Sequence, residues 1–260
     1  MSLVDVVAIK GHIQNTYLAV YPDKLLLLDS GCRSDVEPIL SYITQTLQRP
    51  VTQLKTVVVS HMHPDHAGGA KLLQQKTGCQ IVAAAVSKPW YSGVKGRVQH
   101  LNDLALTYYV ASRRGKSVTN LWYQPILKAD MTLVDGDAIP GFEDWIAVAT
   151  PGHTGCDLSF WHQPSKQVYT GDLILKIKNK LVSPLVINFP QDYKQSLAKV
   201  QALQPERVLL AHGGKVMMTD ADFANLIQVA PDEPREMKIL ETLDIKLPKF
   251  IAAKLSTACK

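Results

Sequence analysis

Apolar positions at the start of the chain fall in short runs broken by turn-forming residues. Val4 to Ile9, Asn15 to Tyr21 and Leu25 to Asp29 are β-branched or apolar stretches, separated by Gly11 and by Pro22-Asp23. Runs of this length between such punctuation predict a meander of β-strands. The period then lengthens. Ile39, Leu40, Ile43 and Leu47 lie on one face at helical spacing, with Asp35 placed as N-cap and Pro38 in the first turn, so a helix is expected there.

From that point apolar strand, polar loop and helix alternate, the pattern of an α/β protein whose helices cover sheet. Four of the expected strands end on the same kind of residue. Thr56 to Ser60 runs into His61, Ile146 to Thr150 into Pro151-Gly152-His153, Gln167 to Thr170 into Gly171-Asp172, and Val208 to Ala211 into His212. Sheets of this class gather functional groups in loops at the carboxyl ends of strands. Residues remote in sequence are therefore expected to meet at one site.

Residues 87–130 break the rhythm, with Trp90, Tyr91, Tyr108, Tyr109, Trp122 and Tyr123 among basic and polar residues. Leu101, Leu104, Ala105, Tyr108 and Tyr109 keep a period near 3.6, so most of this insertion is expected to be helical. Two roles are open to it: an amphipathic helix packed on the body, or a cap giving an aromatic wall to a cleft. A main domain is expected over residues 1–230, and residues 231–260 form a tail with a helical stretch from Glu236 to Leu243. No internal repeat or flexible linker divides the chain.

Composition narrows the class. The 260 residues are 46% hydrophobic and 20% charged, which excludes a disordered or low-complexity chain. The formal charge of +5 is unclustered except at Lys176, Lys178 and Lys180, whose alternation predicts one side of a solvated edge strand. Cys32, Cys79, Cys156 and Cys259 are too dispersed for a disulfide framework or a thiolate zinc site, and a reducing cytoplasm is expected. Cys156 is read as a small buried hydrophobe. The start, Met1-Ser2-Leu3-Val4-Asp5, has no basic lead into an apolar run, so no signal peptide is expected. No stretch approaches the ~18 apolar residues of a membrane span. No nucleic-acid partner is expected either, because neither a basic arm nor an aromatic-basic platform is visible.

The chemistry concentrates in Ser60-His61-Met62-His63-Pro64-Asp65-His66-Ala67-Gly68-Gly69, three imidazoles and a carboxylate within six residues after an apolar strand. Imidazole suits zinc and its neighbours, and a carboxylate adds a hard anionic ligand. In an extended loop His61 and His63 project to one side and share an ion, while Asp65 and His66 reach a second. Of the eight histidines, His61, His63, His66, His153 and His212 fall at strand ends; His12, His100 and His162 do not and are read as structural.

These motifs, taken in order, resemble the metallo-β-lactamase superfamily: His61-x-His63-x-Asp65-His66, then Pro151-Gly152-His153-Thr154-Gly155, Thr170-Gly171-Asp172, and Ala211-His212-Gly213. The resemblance implies a four-layer αββα sandwich, here carrying a helical insertion, with metals at one edge of the two sheets. It implies that His61, His63 and His153 hold one ion, Asp65, His66 and His212 the other, and that Asp172 bridges them. A Gly-Asp at this position looks like the glyoxalase II and lactonase branches. Leu175 stands where the quorum-signal lactonases carry tyrosine, and the roughly 30 residues after Ala230 are too few for the helical domain of glyoxalase II.

The expected activity is a metal-dependent hydrolase. A hydroxide bridging two divalent ions, zinc first and manganese or iron as alternatives, cleaves a small carboxylic ester, lactone or thioester. Asp65 is expected to orient that hydroxide and shuttle a proton. Phosphodiester or RNA hydrolysis and a mononuclear iron sulfur dioxygenase of the same fold are the alternatives.

Overall fold

The computed structural model describes residues 4–235. The first sheet holds β1 (Asp5–Lys10), β2 (Asn15–Val20), β3 (Leu25–Leu28), β4 (Leu54–Val59), β5 (Gln80–Ala84) and β6 (Met131–Leu133), paired in that order. The second contains β7 (Ala138–Ile139), β8 (Phe142–Ala149), β9 (Leu158–His162), β10 (Gln167–Tyr169), β13 (Arg207–Leu210) and β14 (Gly214–Val216), in the order β14-β13-β10-β9-β8-β7. A separate hairpin joins β11 (Leu175–Ile177) to β12 (Lys180–Val182).

The central strands read as unbroken apolar runs because both their faces are buried. Leu25 and Leu27 of β3 pack outward under helices, while Leu26 and Leu28 face the other sheet. Val57 and Val59 of β4 divide from Val58 in the same way, and Val208 and Leu210 of β13 from Leu209. Three apolar seams result, hence four layers. The outer helices over the first sheet are α1 (Val36–Ser41), α3 (Ala70–Thr77) and α4 (Gly93–Arg113); α5 (Pro190–Ala202) and α6 (Asp220–Val229) cover the second. A one-turn helix, α2 (Pro64–Ala67), follows β4. This is the expected αββα sandwich.

Several local expectations change. The helix after Asp35 is α-helical only to Ser41 and continues as a wider turn over Tyr42–Thr46. Asp35 makes no side-chain cap; its carboxylate accepts from the backbone N–H groups of His12 and Cys32 instead. The three lysines do not share a strand face. Lys178 and Asn179 form the tight turn of the β11–β12 hairpin, both at positive φ (48° and 63°), as a two-residue hairpin of the observed twist requires. Lys176 pairs with Leu181, and Lys180 with Ile177, so those two lysines lie on opposite faces.

In the insertion only α4 is helical, and residues 114–130 return as irregular chain. The tail helix expected from Glu236 lies outside the described residues. Among the described residues no helix is long and apolar enough to cross a membrane.

Candidate metal centre

The carboxyl ends of β4, β8, β10 and β13 meet at one edge of the sandwich, and backbone bonds tie the two sheets there. Leu158 N–H donates to Ser60 O across the sheets at 3.0 Å, and Asn15 N–H to Ala211 O at 2.8 Å. All seven residues singled out in the sequence converge at this edge. They form two clusters, His61, His63, His153 and Asp172 in one, Asp65, His66 and His212 in the other, each with its candidate ligand atoms within 4.8 Å of one another.

Asp172 touches both clusters. Its Oδ2 lies 3.7 Å from His153 Nε2, and its Oδ1 lies 3.2 Å from His66 Nε2 and 3.4 Å from His212 Nε2. Gly171 before it has φ of +51° and packs on Ser60, where a Cβ would sit 2.9 Å from the hydroxyl. Glycine is thus required to place the carboxylate. Asp65 Oδ2 is 3.1 Å from His212 Nε2 and 3.8 Å from His66 Nε2. Pro64 at the start of α2 turns Asp65 and His66 inward.

The outer nitrogen of each ring has a partner. His153 Nδ1 donates to Val186 O at 2.7 Å, and His212 Nδ1 to Ile13 O at 3.1 Å. His66 Nδ1 meets Asp29 Oδ2 at 2.6 Å, His61 Nδ1 meets Ser60 Oγ at 3.0 Å, and His63 Nε2 faces Asp103 Oδ2 at 3.7 Å. A carbonyl accepts only, so His153 and His212 carry their protons at Nδ1 and turn Nε2 lone pairs inward. His63 Nδ1 points inward, 2.9 Å from His153 Nε2 and 3.0 Å from His61 Nε2. Three ring nitrogens this close share either a proton or a cation between them.

The electrostatics agree with that reading. Burial, reinforced by the neighbouring imidazoles, pushes His63 down to about 3 and His61 well below the usual histidine range, so both stay neutral and ready to ligate. Burial acts to raise Asp172, but His66, His212 and His153 outweigh it and hold the carboxylate ionised. His66 goes the other way: burial would deprotonate it, yet Asp172, Asp65 and Asp29 raise it well above the ordinary value. His66 Nε2 and Asp172 Oδ1 are both buried and face each other at 3.2 Å across the boundary of the two clusters. Inward-facing ring nitrogens, neutral imidazoles and anionic carboxylates gathered in two adjoining clusters fit divalent cations.

Beside the clusters opens a cleft of about 430 Å³. One wall is α4, with Leu106, Tyr109 and Val110; the other is the β11–β12 hairpin and the loop after it, with Leu175, Ile177 and Leu185. The insertion thus does line the site, but the expected aromatic wall is mostly aliphatic. Of the six aromatics only Tyr109 reaches this cleft. Tyr91, Tyr108 and Tyr123 pack into the core under α4, and Trp90 borders a smaller cavity of about 150 Å³ behind His61, with Cys156. Cys156 is half-buried rather than buried. His12, His100 and His162 stay apart from both clusters; His162 is held by Asp144 and Ser165, and His100 sits among the rings of Tyr91, Trp122 and Tyr123.

Supporting groups absent from the sequence reading are Asp29, Asp103, Gln14 and Tyr169. Asp29 carried a legible signal, because it too ends an apolar strand. Asp103 lies off the apolar period of the insertion helix, and nothing local marks either it or Gln14, whose amide donates to the Asp65 carbonyl.

The sequence matches the family model described as metallo-beta-lactamase superfamily over residues 9–212. The chain belongs to this superfamily. Among curated relatives it is 22% identical over 82% of its length to a probable metallo-hydrolase, YflN, of Bacillus subtilis, spanning 84% of that protein. It is 24% identical over 86% of its length to a hydroxyacylglutathione hydrolase of Pelagibacter ubique, spanning 75% of it. Among solved structures, a metallo-beta-lactamase superfamily protein of Sulfolobus tokodaii superposes with a TM-score of 0.64 at 21% identity, covering 98% of this chain and 95% of the other. At that identity the superposition speaks for the fold. The superfamily's members are in general metal-dependent hydrolases, and this chain keeps the His and Asp clusters such chemistry uses.

Proposed function

We propose that this protein is a dinuclear metal hydrolase acting on a small carboxylic ester, lactone or thioester. The observation that carries the reading is the split of the Asp172 carboxylate between two clusters, one oxygen turned to each. His61, His63 and His153 would hold one ion, Asp65, His66 and His212 the second, and Asp172 both. Two divalent ions there would polarise a carbonyl oxygen and lower the pKa of a bound water toward ~7.

The chain's own groups supply the rest. The apolar walls of the cleft exclude bulk water and hold an uncharged reacting portion against the clusters. The Asp65 carboxylate, kept ionised by His66 and His212 despite burial, accepts a proton at an oxygen and passes it to the leaving group. A cleft of this volume suits a small molecule better than a polynucleotide. The unpaired Cys32, Cys79 and Cys156 fit a reducing compartment such as the cytoplasm.

Zinc is the first choice of ion for a His-rich set with carboxylates, with manganese and iron the alternatives. The test is a panel of esters, lactones, thioesters and a bis-aryl phosphodiester assayed with metal-loaded protein. Turnover of carboxylic substrates that disappears on chelation supports the reading; turnover of the phosphodiester alone overturns it.

A further inference from the structure

One face of α4 runs along the cleft. Asp103, Leu106, Thr107, Val110, Arg113 and Arg114 all line it, at the three- and four-residue spacing of a single helix side. At 1.5 Å per residue this face covers roughly 15 Å from Asp103 to Arg113. Its two ends lean on different clusters. Asp103 faces His63, while the Arg114 guanidinium donates to Ile13 O, the carbonyl that also accepts from His212. The aliphatic middle of the helix therefore passes over the paired clusters. The opposite wall is apolar too, and at its rim Ile177 and Leu185 remain 44% and 51% exposed.

Arg113 is the odd member of this lining. Its neighbour's guanidinium donates to Ile13 O, whereas the Arg113 side chain, exposed at the mouth of the cleft, makes no hydrogen bond or ion pair among the described residues. No carboxylate is set against it: the three acids of the cleft, Asp65, Asp103 and Asp172, all face histidines on its floor. A permanently charged, forked donor is thus left open to the cleft at the end of an apolar wall.

We propose that Arg113 binds an anionic group, carboxylate or phosphate, carried at the far end of an apolar arm of the substrate. The cleft then selects esters or thioesters whose apolar chain ends in negative charge. This assignment rests on the hydrolase reading of the adjoining clusters. The aliphatic stripe from Leu106 to Val110 takes the arm, and the guanidinium fixes its length.

Calorimetric titration of the metal-loaded protein with monocarboxylates and with dicarboxylates from succinate to sebacate tests binding directly. One dicarboxylate should bind roughly tenfold more tightly than the monoacid of equal length, and ω-phosphonates of that length should show whether phosphate is preferred. In Arg113→Gln the ratio should fall to near one, and Arg113→Lys should restore part of it. Hydrolysis of the aryl monoester of that diacid should exceed that of the neutral-ended ester by a similar factor, mostly through KM. Equal binding of mono- and diacids by the wild type, or a preference unchanged in Arg113→Gln with an unaltered unfolding curve, overturns the assignment. Tight, Arg113-dependent diacid binding without hydrolysis of either ester leaves the anion site standing and removes the hydrolase reading instead.

Discussion

Asp29 sits just past β3, wholly buried with φ of 59°, and its carboxylate collects the Ser60 N–H, the Ser60 hydroxyl, the Tyr169 hydroxyl and His66 Nδ1 at 2.5–2.7 Å. Asparagine tolerates that backbone conformation, so Asp29→Asn should keep the turn while placing an amide donor among donors. Metal affinity at the Asp65–His66–His212 cluster should fall by about 10–100-fold, as losses of such supporting partners do. Competition with a chromophoric chelator reads this, and unchanged affinity would show that Asp29 does not orient His66. His66 supports a second expectation. Its raised pKa means that it is protonated at neutral pH in the metal-free protein, and a ligand nitrogen must be free, so metal binding expels that proton. Affinity should therefore rise with pH through and above neutrality. Calorimetry at pH 7 in buffers of different ionisation enthalpy should report release of at least about one proton per chain.

Helix α4 and the β11–β12 hairpin enclose the cleft, and α4 also braces its floor. Arg114→Gln removes a charge-assisted bond to the carbonyl that orients His212. It should weaken the second of two metal-binding steps several-fold while leaving the first, at His61, His63 and His153, close to wild type; a stepwise metal titration resolves the two. The strands that carry the candidate ligands were legible in the sequence because strand and candidate residue are adjacent there, as with Thr56 to Ser60 before His61. The braces were not. Gln14 reaches Asp65 across 51 residues and Arg114 reaches Ile13 across 101, and no local pattern records such pairings. The lysine alternation misled for a related reason: a strand period persisted in sequence across Lys178-Asn179, where the chain reverses. The cap reading would set the insertion's aromatics along the cleft, but Tyr91, Tyr108 and Tyr123 are buried in the core instead, and of the six only Tyr108 and Tyr109 belong to α4.

The sandwich brings the His and Asp clusters from four strand ends onto one edge, and its stability resides in three apolar seams. Leu209 lies in the central seam with no exposed surface, so Leu209→Ala should cost about 2–5 kcal/mol in denaturant unfolding and lower metal retention with it. Each bound ion should in turn raise the unfolding temperature, because the unfolded chain offers no assembled site. The paired-cation centre is the claim on which the activity depends, and elemental analysis of the purified chain alongside Asp172→Ala tests it most directly. Two equivalents of divalent metal in the wild type, at most one in the variant, and loss of turnover in both the variant and the chelated wild type are expected. A wild-type chain that holds one ion or none at full activity, or that still turns over after exhaustive chelation, would contradict it.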